Sequence, residues 1–459
     1  MRFCVRSVVF CAVLCLSAVG VGCRSTGPES GVTSRPLADT RAAYEAPGAG
    51  PALPSEAVVD APGDTLTLQE SLALALARNP RLQAFSWEVR AREATAVQAG
   101  RWPNPTLGVE TENLSTGNPL GDVVDAEQTV QVSQPIELWG RPGKRRAVAE
   151  AERTLADWDY EAARLDVVTQ TTQAFVGLVA AEERVALARE LVRLSEEVFQ
   201  TVSRQVEVGE VSPVEKERAR VPLSQARIRL RRAEEARAAA RKTLSGQWGD
   251  SDTTTFTAVE GTFGAVEPVP PLDTVRASLR RNPALARQDD EIERARAVLS
   301  LEKSDRFPVP SLMVGGQRFG GRTGSDRTAF KAGVTVPLPL VDRNQGAVQR
   351  ARYRLETARR QREAARVRLD TTLTRVYRTL TATQQEAQTL ADETLPAAQS
   401  AFASVREGYR RGKFSYLEVL DAQRTLFDVR RQQIRALRRY YRARIRIERL
   451  IATPLESLQ

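Results

Sequence analysis

The chain has 459 residues, a formal net charge of +10 and no histidine, and its four cysteines all lie within the first 23 residues. The rest of the chain therefore lacks thiolate and imidazole ligands, which excludes the common zinc sites, disulfide frameworks and cysteine–histidine nucleophiles there. Because the positive charge is spread over helices that are also rich in glutamate, we expect solvated helix faces. No catalytic centre, metal site, cofactor or nucleic-acid partner is expected.

Residues 1–23 have the pattern of a secretory signal, in which basic residues precede a short apolar run. The small residues before Cys23 resemble a bacterial lipobox, although Gly20 stands where that motif usually has leucine. We therefore predict that Cys23 carries a lipid, and ordinary cleavage after Gly20-Val21-Gly22 is the alternative. Residues 24–64 are rich in proline, glycine, alanine and serine, which predicts a flexible tether.

The first ordered element is predicted to be a helix from Thr67 to about Arg101. Thr67 is placed to cap this helix, and Glu70 stands three residues later at the capping-box position. Asn79-Pro80 interrupts the helix, because proline has no amide hydrogen to donate.

The pattern changes at Trp102-Pro103-Asn104-Pro105, because two prolines so close together cannot continue a helix. Residues 107–112 and 126–133 then alternate apolar and polar side chains, which predicts a β-hairpin. Such alternation fits a barrel with lipid outside and water inside, and it fits a half-buried soluble hairpin equally well. Trp102 and Trp139 stand at the helix–strand junctions, where aromatic residues gather at membrane interfaces, and this favours the barrel.

A very long helix is predicted in each half of the chain. From Gly143 to about Glu207 the pattern is helical without a proline, and at about 1.5 Å per residue such a helix is roughly 100 Å long. A returning helix follows from about Pro213 to Gly246. Apolar residues stepping by three and four predict a coiled-coil seam, formed in the first long helix by Val148, Ala151, Leu155, Trp158, Ala162 and Leu165, and in the second by Val348, Ala351, Leu355, Ala358, Ala365, Leu369, Thr372 and Val376.

Residues 247–271 mix glycine, aspartate, threonine and proline, which indicates a boundary that can hold a short extra element. After this boundary the second half repeats the first. Pro396 should kink or interrupt the second long helix. The predicted elements are a helix from about Leu272 to Lys303, a hairpin within residues 312–340, a long helix from about Gln345 to Glu407 and a last helix from about Ser415 to Ile451.

The two halves are related by a fixed offset of 203 residues. A repeated helix–turn–helix at one offset indicates a fold built by duplication. In each copy a glycine stands where a long helical pattern stops, and a serine is placed to cap the next helix. The matched pairs are Asn79 and Asn282, Pro80 and Pro283, Gly209 and Gly412, Ser212 and Ser415, and Glu215 and Glu418.

This pattern predicts the organisation of the chain. No apolar run after Cys23 reaches the ~18 residues of a membrane-spanning helix, so any bilayer span would consist of strands. The four predicted strands cannot close a barrel, and open strand edges are not tolerated in lipid, so the chain should form an oligomer. The predicted segments are a signal at 1–23, a tether at 24–64, repeats at 65–249 and 272–453, a linker at 250–271 and a tail at 454–459.

The stretch from Gly412 through the helix reading L-E-V-L-D-A-Q resembles the hairpin tip of TolC-like outer-membrane efflux factors. Segments Trp102–Asn113, Val132–Arg145 and Val336–Val348 resemble the heavy-metal (cobalt–zinc–cadmium or copper–silver) branch of that family. Members are trimers that share a twelve-stranded barrel and a periplasmic helical tunnel. The resemblance implies a mainly α fold with a small β part, in which long coiled-coil helices form an α-helical barrel and four strands contribute to a trimeric transmembrane β-barrel.

The resemblance also implies two functional regions. Family members carry a ring of acidic residues just after the second tip, and the matching positions here are Glu418 and Asp421, three residues apart on one helix. Three copies would place six carboxylates around one axis as a gate, whereas spacing alone would favour ordinary solvated residues. In the first half the equivalent residues are Glu215 and Arg218. The tips resemble a surface that meets a periplasmic adaptor, through Val208, Gly209, Val211, Ser212, Gly412 and Ser415.

The function that the resemblance implies is a non-enzymatic conduit. It would be the outer-membrane channel of a tripartite efflux system for heavy-metal cations, with its helical tunnel in the periplasm. Expected partners are two further copies of the chain, a periplasmic adaptor, an inner-membrane resistance-nodulation-division pump and outer-membrane lipid. The alternatives are a multidrug or type I secretion exit channel of the same fold and, from another class, a secreted coiled-coil scaffold without a pore.

Overall fold

Each half of the chain folds as a helix pair, two long strands, a very long helix and a returning helix. The computed structural model describes residues 64–112, 127–250, 256–319 and 327–458. In these ranges the first half comprises β1 (Thr65–Leu66), α1 (Leu68–Arg78), α2 (Pro80–Ala99), β2 (Thr106–Glu112), β3 (Glu127–Pro135), α3 (Arg141–Glu207) and α4 (Pro213–Ser245). The second half comprises β4 (Ala258–Val259), α5 (Leu272–Ser278), α6 (Pro283–Ser304), β5 (Ser311–Phe319), β6 (Arg327–Thr335), α7 (Gln345–Thr389), α8 (Leu395–Arg410) and α9 (Tyr416–Ile451).

The predicted signal at residues 1–23, its lipid attachment at Cys23 and all but the last residue of the predicted tether lie outside the described ranges. Among the described helices, none has a stretch long and apolar enough to cross a lipid bilayer.

The predicted capping box at the start of α1 is confirmed. The Thr67 hydroxyl accepts a hydrogen bond from the Glu70 amide at 3.2 Å, and the Glu70 carboxylate accepts one from the Thr67 amide at 2.8 Å. Two amides that a helix cannot pair internally are thereby satisfied. The hydrogen bond from the Thr67 amide lowers the pKa of Glu70, and the bond from the Thr67 hydroxyl lowers it further by a smaller amount.

The duplication extends to single hydrogen bonds at Asn79 and Asn282. Each asparagine caps the helix that follows it, and each donates from its side-chain amide to a backbone carbonyl near the end of the returning helix. Asn79 donates to the carbonyl of Gln247 at 2.5 Å, and Asn282 donates to that of Leu450 at 2.7 Å. Gln247 and Leu450 are themselves 203 residues apart. The same residue therefore fixes the same helix junction in both halves.

The helix predicted from about Leu272 to Lys303 is divided in two. A 3₁₀ turn and Asn282 separate α5 from α6, as Asn79 separates α1 from α2. Asn282 is extended (φ −65°, ψ 123°) because a following proline disfavours the helical conformation of the residue before it.

The short extra element expected in residues 247–271 is β4, which pairs in parallel with β1. Residues 256–271, called the strap below, lie across the long helices. The Glu182 carboxylate of α3 accepts a hydrogen bond from the strap amide of Val259 at 3.3 Å. The Tyr377 hydroxyl of α7 donates to the strap carbonyl of Pro270 at 2.9 Å. The strap thus connects helices from both halves.

Four strands form one antiparallel sheet in the order β2-β3-β5-β6. The two predicted hairpins are joined through β3 and β5, where Val132 lies opposite Val314. The outer edges belong to β2 and β6, and neither has a further partner strand among the described residues. Because an unpaired edge is a template for another strand, this sheet is suited to pairing with further copies.

Helix α3 is the element against which most of the other helices pack. It has 67 residues, and α1, α2, α4, α6 and α9 contact it. The predicted seam is only partly confirmed, because Leu155 and Leu165 are buried whereas Val148 and Ala151 are half-buried. A single seam describes a helix with partners on one side, and α3 has partners on several. In α7 the first five predicted seam residues, Val348, Ala351, Leu355, Ala358 and Ala365, are buried.

The predicted interruption at Pro396 is confirmed. A π-helical turn at Leu390–Thr394 separates α7 from α8. In an uninterrupted α-helix the proline ring would collide with the carbonyl of Asp392, four residues earlier, and the wider π turn avoids this collision. Pro396 itself lies in the first turn of α8, where a missing amide hydrogen does little harm.

Candidate functional site

One face of the four-stranded sheet is apolar and exposed. Leu107, Val132 and Val314 lie side by side across β2, β3 and β5, and they are 70%, 41% and 44% exposed. A water-soluble monomer rarely exposes so extended an apolar surface, so this face requires a partner or lipid. Its exposed large apolar residues are Leu107, Val109, Val130, Val132, Leu312, Val314, Phe330 and Val334.

The opposite face of the sheet is polar. Gln131 of β3 and Lys331 of β6 both lie opposite Gly315 of β5. The Glu127 carboxylate accepts a hydrogen bond from the Gln317 side chain at 2.8 Å. The predicted alternation is therefore confirmed in β2 and β3, while Met313 and Phe319 of β5 are apolar exceptions on the polar face.

Aromatic residues mark the end of the sheet that adjoins the helices. Trp102 and Trp139 are 54% and 55% exposed and stand at the predicted helix–strand junctions. Trp139 stacks on Phe307, which stands before a Pro-x-Pro segment in the second half as Trp102 does in the first, with ring centroids 4.7 Å apart. Exposed aromatic rings next to an apolar band suit a membrane interface, where one side of the ring meets lipid and the other meets water.

The two helix tips have the same backbone geometry. Gly209 and Gly412 both have positive φ, +80° and +70°, which side-chain-bearing residues adopt only with strain. One residue further on, the amides of Glu210 and Lys413 donate to the carbonyls of Gln205 and Gly408, each at 2.8 Å. This is the Schellman arrangement, which pairs the last carbonyls of a helix.

Serine caps the helix after each tip, as predicted. Ser212 accepts a hydrogen bond from the amide of Val214 at 3.4 Å. Ser415 forms a full capping box with Glu418, whose carboxylate accepts from the Ser415 amide at 2.7 Å and from its hydroxyl at 2.8 Å. The backbone bond, followed by the hydroxyl bond, lowers the pKa of Glu418, so this carboxylate stays ionised.

The tips pack side by side through a small apolar cluster. Val202 and Ala219 of the first half are buried together with Tyr416 and Leu420 of the second. The Tyr409 hydroxyl donates to the Gln205 side chain at 3.0 Å and adds a polar link between the halves. The tips therefore form one surface rather than two separate ones.

Most of the predicted tip residues lie on this surface. Val208 is 71% exposed, and Gly209, Ser212, Gly412 and Ser415 are exposed as well. Val211 is half-buried and belongs to the edge of the apolar cluster. Three further exposed apolar residues lie next to the tips, and no turn or capping signal in the sequence marks them; they are Val214, Phe414 and Leu417.

The predicted acidic pair is placed within one turn of α9, and both residues are exposed. Their environments differ. Glu418 is committed to capping its own helix, whereas the Asp421 side chain has no hydrogen bond or ion pair with any described residue. In the first tip Glu215 instead pairs with Arg218 at 2.7 Å. Asp421 is thus the residue of the set whose carboxylate is not engaged by any described residue.

The described residues contain no cluster of three or more histidine, cysteine, aspartate or glutamate side chains arranged to hold a metal ion. What the site offers is an apolar sheet face, an exposed double tip and a free carboxylate on the helix behind the tip.

A protein-family model described as "Outer membrane efflux protein" matches residues 72–250 and 274–453. The cobalt-zinc-cadmium resistance protein CzcC of Cupriavidus metallidurans is 32% identical over 386 residues, covering 84% of this chain and 90% of that protein.

Solved structures share the fold. The outer membrane protein VceC of Vibrio cholerae superposes with a TM-score of 0.68 at 17% identity, over 84% of this chain and 96% of that one. The structure of CusC superposes with a TM-score of 0.64 at 18% identity, over 89% and 99% of the two chains.

Proposed function

The chain belongs to the outer membrane efflux protein family, and on this premise we propose that it is one subunit of a homotrimeric channel that exports heavy-metal cations. An inner-membrane resistance-nodulation-division pump drives the transport, and a periplasmic adaptor joins the pump to the channel. The channel itself is a passive conduit without a catalytic step, gated at its periplasmic end.

The observation that carries this proposal is the sheet with one exposed apolar face and two free edges. The apolar face suits the acyl chains of the outer membrane, and the polar face suits a water-filled lumen. Free edges cannot remain unpaired in lipid. Three copies would bring twelve strands together and pair all the edges.

The double tip supports the proposed adaptor contact. Val208, Phe414 and Leu417 are exposed apolar residues at the end of rigid helices. When a partner protein docks, such residues become buried and form the apolar core of an interface with a polar rim. The adaptor would meet the tips at Val208, Gly209, Val211, Ser212, Gly412 and Ser415, the residues that the family resemblance singles out.

We propose that Asp421 is the principal gate residue and that Glu418 supports it. Three copies of Asp421 would form a carboxylate ring, which attracts cations and opposes anions at the entrance. Glu418 adds charge nearby while its capping box fixes the first turn of α9. This proposal keeps both residues in the gate and gives them different tasks.

The gate prediction concerns Asp421→Asn combined with Glu418→Gln. Both changes remove charge, and glutamine can still complete a capping box, so the helix start should survive. We expect block of the reconstituted channel by divalent or trivalent cations to weaken about tenfold, which corresponds to about 1.4 kcal/mol. The control is Glu215→Gln in the first tip, whose carboxylate already pairs with Arg218. Equal block in the double variant and the wild type would remove the acidic pair from the gate.

The metal proposal rests on the similarity to a cobalt-zinc-cadmium resistance protein. Deletion of the chain from its host should raise sensitivity to cobalt, zinc or cadmium, measured as growth inhibition, and leave sensitivity to organic drugs unchanged. Expression of the wild type should restore resistance. Sensitivity to drugs alone would assign the channel to multidrug export, and unchanged secretion of proteins would separate it from type I systems.

Acylation of Cys23, which mass spectrometry of the mature chain can test, stays a prediction.

A further inference from the structure

Three sides of α9 have identified neighbours. One side packs against α7 and α8 through residues such as Ala436 and Ile447. A second side packs against α3, where Phe427 and Ile434 join Ala180 and Leu187. A third side faces the strap, whose Glu267 pairs with Arg444 at 3.0 Å. The remaining side of α9 points away from the strap.

That remaining side carries a row of arginines. Arg435, Arg438, Arg442 and Arg446 follow one another at steps of three and four residues, so they share one face of the helix. At about 1.5 Å per residue, the row extends over roughly 16 Å. Arg184 of α3 adjoins it. These five residues are called the arginine band below.

The arginine band has no salt bridge within the described part of the chain. None of its five members forms an ion pair with a described acidic residue. The Nε atoms of Arg438 and Arg442 are buried and have no hydrogen-bond partner. Arginines on the flanks behave differently, since Arg430 pairs with Glu190 and Arg439 pairs with Glu386. Arg431, one helical turn before Arg435 on the same side of α9, pairs with Asp428, so the unpaired stretch begins at Arg435.

The members of the band also repel one another. Burial, and next the charge of Arg435, lower the pKa of Arg184. Burial, and next the charge of Arg184, lower the pKa of Arg438. Burial, and next the charges of Arg438 and Arg446, lower the pKa of Arg442. Like charges held together at a half-buried surface lower their free energy by taking up an anion.

The band lies on the same side of α9 as Asp421. Arg435 follows Asp421 by 14 residues, which is close to four helical turns and about 20 Å. If Asp421 lines the conduit, as the proposed function requires, the arginine band lines it as well, deeper inside the tunnel.

We propose that the arginine band is an anion-binding site on the wall of the conduit, which makes this stretch of the open channel selective for small and multivalent anions. The inference rests on the proposed channel function and adds a second, oppositely charged zone behind the acidic gate. Guanidinium groups suit oxyanions such as sulfate and carboxylates because they donate parallel hydrogen bonds.

The band has a consequence for cargo. A bare divalent cation that has passed the gate meets positive charge, which opposes its passage. Anions held by the band would screen this charge. Metal cations would therefore cross the tunnel beside bound anions, and transport would depend on the anion supplied in the periplasm.

The test uses the full-length trimer and the variant Arg435→Gln, Arg438→Gln, Arg442→Gln. In planar bilayers with a potassium chloride gradient, the chloride-to-potassium permeability ratio should fall at least about threefold relative to wild type. The permeability ratio is measured again after Asp421→Asn has been added to the wild type and to the glutamine variant. In this pair the charge of the gate cannot obscure the effect of the arginine band. The triple lysine variant at the same positions should keep the wild-type ratio.

A second measurement does not need conductance. Sulfate should raise the thermal stability of the detergent-solubilised wild-type trimer more than chloride at equal ionic strength, and the glutamine variant should lose this difference. A control on three exposed arginines of α7, Arg352→Gln with Arg359→Gln and Arg366→Gln, should behave as wild type. A trimer without any current but with the sulfate effect would contradict the channel and keep the anion site.

Two results would overturn the anion site. One is a conducting channel whose permeability ratio and sulfate response are the same in the glutamine variant as in wild type. The other is loss of the trimer in the glutamine variant alone, which would show that the arginines pair with acidic residues of a neighbouring copy.

Discussion

Val132→Arg should remove most of the assembled protein from the outer membrane, whereas Ser133→Arg, one residue further along the same strand, should be tolerated. Val132 lies on the apolar face between Leu107 and Val314, and Ser133 lies on the polar face. An arginine on the lipid-facing side of a membrane strand costs about 2–4 kcal/mol near the midplane, and a trimer would carry three. On the lumen side the same side chain stays in water.

Both variants introduce the same arginine side chain at neighbouring positions of one strand, so they differ mainly in the face of the sheet on which it lies. The measurement is the amount of heat-resistant trimer in outer-membrane fractions. Equal amounts for the two variants would mean that the apolar face does not contact lipid, and the membrane assignment of the sheet would be lost.

Gly315→Ala should destabilise the assembled sheet strongly, and Gly316→Ala should not. A methyl group on Gly315 would stand 2.4 Å from the carbonyl oxygen of Val130 and 2.8 Å from the Cα of Gln131. Backbone atoms cannot move aside without breaking the pairing of β3 with β5. We expect a loss of about 3 kcal/mol per subunit, at the upper end of what overpacking costs.

Gly316 is the matched control. A methyl group there would have only the carbonyl oxygen of Ala329 nearby, at 3.9 Å, and would point to the apolar face. Alanine in a strand loses less backbone entropy than glycine, so this variant should be neutral or slightly more stable. The temperature at which the trimer dissociates on a gel measures both effects. Greater damage from Gly316→Ala would contradict the observed register.

The β3–β5 pairing matters because it is where the halves of the sheet meet. Val132 and Val314 are 182 residues apart in the chain, and no local pattern indicates that they are neighbours. The sequence predicts both hairpins, since alternation and turn residues are local signals. Which hairpin edges meet depends on how the long helices bring the strands together, and that is decided by tertiary packing.

The helices show the same limit. The caps at Thr67, Ser212 and Ser415 and the turns at the tips could be predicted, because each depends on residues within one turn of chain. The proline predicts the interruption at Asn79-Pro80, and Asn282-Pro283 repeats it between α5 and α6. The several buried sides of α3 could not be predicted, since they reflect partners far away in the chain.

The candidate site was predictable in position and less so in chemistry. Spacing places Glu418 and Asp421 together, and Ser415 with Glu418 three residues later has the pattern of a capping box. That Asp421 has no partner among the described residues is a property of the folded chain. The arginine band has the spacing of an ordinary solvated face. Its lack of acidic partners is a property of the arrangement of α3 and α9, which no sequence pattern contains.

The chain is an outer membrane efflux protein by family and by fold. The central claim is that several copies of it enclose a membrane pore. Single-channel recording in planar bilayers, with mature protein purified as a heat-resistant trimer, tests this claim most directly. The account predicts discrete, stepwise currents. A water-soluble monomer that leaves the bilayer silent would contradict it.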